Sequence, residues 1–178
     1  MVPFIVSVPH NFIYEASQKL KETIRKLRDA NKIVMLATNS EYSYTKNILK
    51  YVLGENYLEY FDFICVSVDK PLFWNAPERE FHAVDSTNKI DSKGPGIKGK
   101  DFDFVKNQFL IKGNADSLID FAAKKFGKKR DEIRAIYHGD STKGDVQARY
   151  HPNWDCAFIF DELDGLKHPK SGSRTCNF

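Results

Sequence analysis

The chain has 178 residues, which suits one domain with a single sizeable core. Charged residues make up 29% of it and the formal net charge is +3, and no long run of one sign suggests a nucleic-acid-binding arm. The basic residues between 124 and 130 follow one helical segment. We interpret them as a solvated helix end and expect no nucleic-acid partner.

Apolar spacing predicts helices and strands in alternation along the first part of the chain. PFIVSV at 3–8 is a strand-like run, and a helical stripe follows over 12–30, with Asn31 as a plausible C-terminal residue. KIVMLA, which ends at residue 37, has the length and composition of a strand buried on both faces. The next helix is expected to end at Gly54.

The alternation continues in the second part of the chain. FDFICVSV at 61–68 predicts a buried strand, ADSLIDFAAKKFG a helix ending at Gly127, and IRAIYH and CAFIF two further strands. Such alternation predicts an α/β fold, with a mostly parallel sheet and helices on both of its faces. The segment at about 75–107 is rich in Gly, Pro, Ser and Asn, and we expect a loop or hairpin excursion there.

Two motifs in this excursion imitate catalytic signatures. GPGIKGKD has the spacing of a phosphate-binding P-loop, but Asp101 stands where a magnesium-binding Ser or Thr is required, and no strand is predicted before it. DFDFV pairs two aspartates, yet it follows a basic loop instead of a buried strand. A hairpin with solvated aspartates is the interpretation that we favour.

Polar side chains concentrate where the predicted strands end. Ligands of parallel α/β sheets bind at the carboxyl ends of the strands, so these residues are expected to converge. A hydroxyl with helix-start amides would hold a phosphate, a lysine would neutralise it, and paired aspartates suit magnesium. The residues concerned are Thr38, Asn39, Ser40, Lys70, Asp140 and Asp145.

Each of these residues also has a structural interpretation. Thr38 by itself is better explained by capping the helix that follows it, and Lys70 by itself is better explained as a surface lysine. Asp145 could cap a helix that begins near it, after a turn at Gly139–Ser141. It is the combination of Thr, Lys and paired Asp at successive strand ends that favours a phosphate site.

Cysteine and histidine usage points to a reducing compartment. The three cysteines are far apart and odd in number, and the five histidines share no spacing that would build a zinc site. No apolar stretch approaches the length of a membrane span, and the N-terminal residues lack the pattern of a secretory signal. We therefore expect a cytoplasmic protein without membrane partners, and the sequence leaves room for a homo-oligomer.

Four segments together resemble a known family: LATNSEYSYTKNILKYVL, YFDFICVSVDKPLFW, HGDSTKGDV and NWDCAFIFDEL. They are similar to the cytosolic purine 5'-nucleotidases and the 5'-nucleotidase domain-containing proteins of the haloacid dehalogenase (HAD) superfamily. The resemblance implies a Rossmann-like, HAD-like three-layer sandwich in residues 1–166, and we expect a flexible C-terminal tail at 167–178.

The resemblance also implies a reaction and residue roles. The reaction is phosphate-ester hydrolysis through an aspartyl-phosphate, with Mg²⁺ as cofactor and a nucleoside 5'-monophosphate as substrate. Thr38 would bind the transferring phosphate and Lys70 would stabilise its charge. Asp140 would ligate magnesium and Asp145 would support that site.

One family motif is missing from these 178 residues. The first motif, an apolar strand ending in Asp-x-Asp-x-Thr, supplies the nucleophile and the general acid, and no such pattern occurs here. The chain is therefore expected to be the C-terminal part of a catalytic domain, either truncated or changed by loss of chemistry, and inactive by itself. In the strand order that the resemblance implies, the nucleophile strand lies between those ending at Thr38 and Asp140. We predict that PFIVSV fills that position.

Two function hypotheses follow. The first is a magnesium-dependent 5'-nucleotidase-type phosphohydrolase, and the second is a non-catalytic module that binds a phosphate or a protein partner on the same scaffold. A receiver domain of a signalling relay also uses Asp, Thr and Lys at parallel strand ends. There the acidic residues precede the Thr and Lys, whereas here they follow, so the order disfavours it.

Overall fold

The computed structural model describes residues 2–84, 96–97 and 109–159. The chain divides into two compact units, Met1–Ile133 and Arg134–Phe178. The α-helices are α1 Val2–Ser7, α2 Gln18–Asp29, α3 Tyr42–Leu53, α4 Leu72–Asn75 and α5 Ala115–Phe126. The strands are β1 Met35–Ala37, β2 Phe63–Val66, β3 Phe81–Ala83, β4 Phe109–Lys112, β5 Ala135–Gly139 and β6 Trp154–Phe158.

The first unit is built on a four-stranded sheet with the order β1-β2-β4-β3. Strands β1, β2 and β4 are parallel, with Leu36 opposite Ile64 and Cys65 opposite Leu110. Strand β3 runs antiparallel to β4. The predicted α/β class with a mostly parallel sheet is thus confirmed, and the arrangement is consistent with a Rossmann-like fold.

Strand β2 lies in the core of this unit, and all four of its residues are buried. Ile64 belongs to the same apolar cluster as Leu49 of α3. The ring of Phe63, whose side chain points to the other face because strand residues alternate, lies 5.9 Å from the ring of Phe121 in α5. Helices α3 and α5 therefore contact opposite faces of β2.

The helix ends follow local chemistry. Helix α3 ends at Gly54 with φ +96°, and α5 ends at Gly127 with φ +61°, conformations that favour glycine because it has no β-carbon. Both predicted ends are confirmed. Asn31, at φ +56°, follows the last turn of α2, where the Lys32 amide donates to the Leu27 carbonyl at 2.9 Å.

Helix α2 is shorter than the predicted segment 12–30. Ser17 is its N-cap and accepts a hydrogen bond from the Leu20 amide at 3.2 Å, so the residues before Ser17 stay outside the helix. The apolar spacing typical of a helix continues before Ser17 in the sequence, but the Ser17 side-chain cap determines where α2 begins.

The prediction that PFIVSV forms a strand is wrong. Residues Val2–Ser7 form helix α1, so this segment does not fill a position in the sheet. A short apolar run is compatible with a strand or a buried helix segment, and its periodicity cannot separate the two. Proline is also tolerated in the first turn of a helix, where Pro3 lies.

The excursion at about 75–107 contains a strand that the sequence did not predict. Strand β3 pairs with β4, with Phe81 opposite Lys112, and Phe81 also bridges to Ile97. Strand β4 was missed as well, because FLIK is too short a run to stand out. Most of the GPGIKGKD motif, all of DFDFV and the tail at 167–178 lie outside the described residues.

The second unit contains a parallel pair of strands, β5 and β6. Ala135 lies opposite Trp154 and Gly139 opposite Phe158, and the 3-10 helix Asp145–Tyr150 connects the two strands. The predicted strands IRAIYH and CAFIF are confirmed with shifted bounds. Over the described ranges of both units, no helix is long and apolar enough to cross a bilayer.

Candidate functional site

Two loops meet at the carboxyl edge of the first unit's sheet. We name them the Thr38 loop, residues 38–41 after β1, and the Lys70 loop, residues 67–71 after β2. The Val68 amide donates to the Thr38 carbonyl at 3.1 Å, and the Ser67 amide donates to the Ser40 carbonyl at 2.9 Å. Because β1 and β2 are adjacent and parallel, their ends lie side by side and the two loops hydrogen-bond directly.

A third hydrogen bond ties the two loops together through a side chain. The side-chain oxygen of Asn39 accepts from the backbone amide of Lys70 at 2.8 Å. Asn39, which was predicted to bind phosphate, thus also holds through its Oδ1 the backbone from which Lys70 projects. The structure thus brings together the four residues predicted in this unit: Thr38, Asn39, Ser40 and Lys70.

The Thr38 hydroxyl has a defined orientation. Its Oγ1 accepts from the Ser40 amide at 3.1 Å, and a hydroxyl that accepts in this way keeps its own proton to donate. Ser40 N–H, which was predicted to contact phosphate, is therefore engaged by Thr38. Because the hydroxyl proton of Thr38 can be donated to an oxyanion, Thr38 is suited to bind a phosphate group.

The start of α3 adds a favourable dipole to the Thr38 loop. Helix α3 has twelve residues, and its N-cap, Glu41, makes no side-chain capping bond in the described structure. The first-turn amides of a helix carry partial positive charge and favour anions. The charge of the helix end and the Thr38 hydroxyl therefore favour the same kind of ligand.

The Lys70 loop has an uncommon backbone conformation. Ser67 has φ +47° and Asp69 φ +57°, in the left-handed region that residues other than glycine seldom adopt. Nη1 of Arg79 donates to the Val68 carbonyl at 2.8 Å, and Nη2 lies 4.0 Å from the Asp69 carboxylate. Sequence reasoning missed Asp69 and Arg79. Asp69 adjoins Lys70, which the sequence did single out, but no spacing singled out Arg79.

In the second unit, the two predicted aspartates differ in environment. Asp140 is exposed just after β5. Asp145 is 2% exposed, and its Oδ2 accepts from the Ser141 amide at 2.9 Å. The hydroxyl of Ser141 in turn accepts from the Gly144 amide at 3.0 Å. Asp145 therefore braces the loop that carries Asp140.

The capping alternative for Asp145 can be compared with this geometry. Asp145 is the first residue of the 3-10 helix and Gly144 is its N-cap, so the carboxylate does not act from the capping position. It bonds instead to an amide four residues earlier in the chain. The role of Asp145 in supporting a magnesium site stays a prediction.

The residues of this unit offer a magnesium ion few protein ligands. Within the described part of the chain, no three His, Cys, Asp or Glu side chains come together as a metal site. Asp140 presents one exposed carboxylate, whereas Asp145 already accepts a hydrogen bond. A hard cation that prefers several oxygens would bind through Asp140 and complete its coordination mainly with water.

The predicted site residues are divided between the two units. Thr38 and Lys70 belong to Met1–Ile133, and Asp140 and Asp145 belong to Arg134–Phe178. Their convergence at one site stays a prediction.

The cysteine thiols in the described residues are poorly suited to act as nucleophiles. Complete burial raises the pKa of the Cys65 thiol. Burial, and then the nearby Asp145 charge, also raises the pKa of Cys156. Because the thiolate is the reactive form, raised pKa values leave both groups protonated and unreactive near neutral pH.

Comparisons with known proteins identify the family of this chain. A family model described as the 5' nucleotidase family matches residues 1–167. The chain is 28% identical over 172 residues to 5'-nucleotidase domain-containing protein 1 of Homo sapiens, an alignment that covers 95% of this chain and 36% of the human protein. The Bos taurus protein of the same name is 29% identical over 171 residues, with 94% and 36% covered. The chain thus spans 36% of the length of these relatives, and it belongs to the 5' nucleotidase family.

Proposed function

We propose that this chain carries the phosphate-binding part of a 5'-nucleotidase-type phosphohydrolase that acts on nucleoside 5'-monophosphates. The observation that supports this most directly is the hydrogen-bonded pairing of the Thr38 loop with the Lys70 loop. Family membership adds the hydrolase class. The HAD-like three-layer arrangement belongs to the same proposal, and helices on both faces of β2 support it.

The proposed chemistry uses charge stabilisation. The Thr38 hydroxyl donates to one phosphoryl oxygen, and the Lys70 ammonium neutralises the charge that develops during transfer. Asp140 is the residue that would hold Mg²⁺, with Asp145 bracing its loop. When bound, Mg²⁺ would supply further neutralisation of the phosphate.

The 178 residues by themselves lack the group that attacks phosphorus. No Asp-x-Asp-x-Thr pattern occurs in the sequence. Thr38 and Lys70 stabilise charge only once attack has begun, so they do not replace a nucleophile. We therefore propose that this chain alone binds phosphate without hydrolysing nucleotides. The scattered cysteines, with Cys65 a buried thiol, support a cytoplasmic setting.

Amide NMR during titration with inorganic phosphate tests the binding proposal. We expect shifts concentrated in the Thr38 loop, the first turn of α3 and the Lys70 loop. Thr38→Val should abolish them and Thr38→Ser should retain them, because only valine lacks the hydroxyl. Thr23→Val is a matched control, since the Thr23 hydroxyl bonds only the Lys19 carbonyl of exposed α2 among its described contacts. Equal shifts in the wild type and Thr38→Val would exclude the proposed site.

The second candidate, a non-catalytic binding module, is favoured by the missing nucleophile motif. A module that binds a protein partner differs from a nucleotidase domain in its ligand, whereas a module that binds phosphate differs from it only in lacking hydrolysis. A nucleotidase domain predicts that inosine or guanosine monophosphate competes with phosphate for the Thr38 loop. If the chain is a module that binds a protein partner, we expect that these nucleotides do not compete with phosphate for the Thr38 loop. We also expect that Thr38→Val has no effect on nucleotide binding.

A further inference from the structure

Arg79 makes two contacts with the Lys70 loop. Arg79 lies between α4 and β3, and its side chain is 18% exposed. One guanidinium nitrogen donates to the carbonyl of Val68 and the other faces the carboxylate of Asp69. Both contacts are to residues directly before Lys70, so the guanidinium restrains this turn from its buried side.

Arg79 is itself held in place from the start of α5. Asn114 is 1% exposed, and its Oδ1 caps α5 by accepting from the Ser117 amide at 2.7 Å. Its Nδ2 donates to the carbonyl of Arg79 at 2.5 Å. A continuous series of hydrogen bonds therefore runs from α5 through Asn114 and Arg79 to Val68.

The Lys70 loop needs such support because its backbone is strained. Left-handed φ values at Ser67 and Asp69 cost on the order of 1 kcal/mol each, and such conformations persist only where surrounding contacts hold them. Asn39 also fixes the Lys70 amide by accepting its hydrogen bond. The direction in which Lys70 projects is thus set by Asn39 and Arg79 together.

We propose that Arg79 is a positioning residue that sets the Lys70 ammonium for phosphate binding. This inference rests on the proposed function, because it assumes that Lys70 faces the bound phosphate. Arg79 acts through the backbone of Val68 and the Asp69 carboxylate, and its own charge is directed at that carboxylate.

The chain contains a matched control for this arginine. Arg28 also donates to a backbone carbonyl, that of Glu59, and pairs with an aspartate, Asp62, at 3.6 Å. Asp62 precedes β2 and Asp69 follows it, so the two arginines bind at opposite ends of the same strand. Arg28→Gln removes the same kinds of contact without touching the Lys70 loop.

A double-mutant cycle on phosphate affinity tests the proposal. Arg79→Gln and Lys70→Met should each raise the phosphate Kd about tenfold, the effect of one lost charge-assisted contact. In the Lys70→Met background, Arg79→Gln should have no further effect, because Arg79 acts through Lys70. Arg28→Gln should leave the Kd unchanged. Additive effects would show that Arg79 acts independently of Lys70 and would overturn the proposal.

Hydrogen exchange of the Lys70 amide gives a readout that does not depend on phosphate. This amide should exchange at least about tenfold faster in Arg79→Gln and at the wild-type rate in Arg28→Gln, because only the first substitution releases the loop. An unchanged rate in Arg79→Gln would also overturn the proposal. If the wild type binds no phosphate, the proposed function fails and the positioning of Lys70 for phosphate fails with it, and the exchange rate then decides only whether Arg79 restrains the Lys70 loop. If Arg79→Gln does not fold, Arg79→Lys is measured in its place.

Discussion

A β-carbon on Gly139 would lie 2.4 Å from Oδ2 of Asp145, a distance that real β-carbons do not show. The last residue of β5 therefore leaves room for the carboxylate that braces the following loop. Oδ2 is also the atom that accepts from the Ser141 amide. The glycine and the buried aspartate depend on each other, and both determine where Asp140 is presented.

Replacing Gly139 should weaken the second unit. We expect Gly139→Ala to lower its stability by about 1–3 kcal/mol, because the new methyl group displaces a buried carboxylate. Amide hydrogen exchange in β5 and β6 measures this loss. In an Asp145→Ala background the cost should fall, since the two atoms nearest the methyl group are then absent. An equal cost in both backgrounds would show that Asp145 is not the obstacle.

Replacing each of the two aspartates of the second unit with alanine should have different effects on local stability. Asp145→Ala removes a buried carboxylate, leaves the Ser141 amide without its acceptor and should cost about 1–3 kcal/mol of local stability. Asp140→Ala removes an exposed side chain and should change stability by less than about 0.5 kcal/mol. Exchange of the Ser141 amide measures both effects. Equal protection in wild type and Asp145→Ala would contradict the bracing role.

The features that could be predicted best from the sequence are the helix ends, because they depend on local chemistry. The ends of α3 and α5 were predictable, because Gly54 and Gly127 adopt positive φ values that glycine favours. Strand β3 was not predictable, because a three-residue segment owes its pairing to distant partners. One such contact is the close approach of Gly113 to the Phe81 ring, where a β-carbon would lie 2.0 Å from the ring.

The same distinction applies to the candidate site. Thr38 and Lys70 could be placed at one sheet edge because Thr38 directly follows β1 and Lys70 lies in the loop after β2, and both strands are recognisable and parallel. Arg79 could not, because its contacts with Val68 and Asp69 depend on the path of the chain after α4. The spacing of Asp140 and Asp145 did not distinguish them, and only the family resemblance implied different roles, whereas exposure and hydrogen bonding distinguish them in the structure.

Asp62 should be the most sensitive charged residue at the amino end of β2. Its Oδ2 accepts from the Val34 amide at 2.8 Å, while Oδ1 lies 3.6 Å from Arg28 and 3.7 Å from Lys125. Asp62→Ala should cost about 1–3 kcal/mol, mainly because the Val34 amide loses its acceptor. Lys125→Ala should cost less than about 1 kcal/mol, since partly exposed ion pairs are weak. Urea denaturation of the two variants compares these costs, and a larger loss for Lys125→Ala would contradict the ranking.

The described cysteines should differ in their reactivity with iodoacetamide at pH 8. Cys65 is fully buried, and burial raises its pKa, so we expect no labelling of the folded chain. Cys156 is partly exposed but also has a raised pKa, so its labelling should increase only at higher pH than that of a free thiol. Mass spectrometry of tryptic peptides separates the sites. Equal labelling of Cys65 in the presence and absence of urea would contradict its burial in β2.

The purified 178-residue chain should hydrolyse nucleoside monophosphates no faster than its Asp140→Asn variant at millimolar Mg²⁺. The sequence contains no Asp-x-Asp-x-Thr motif, and the raised pKa values of Cys65 and Cys156 leave these thiols protonated. Removing the residue that forms a covalent intermediate is not offset by groups that stabilise charge. A phosphate-release assay with inosine and guanosine monophosphate measures the rates.

Magnesium-dependent release that Asp140→Asn abolishes would contradict the prediction and indicate a nucleophile elsewhere in the chain. Asp101→Asn and Asp103→Asn would then test the two carboxylates of the DFDFV motif, which lies outside the described residues.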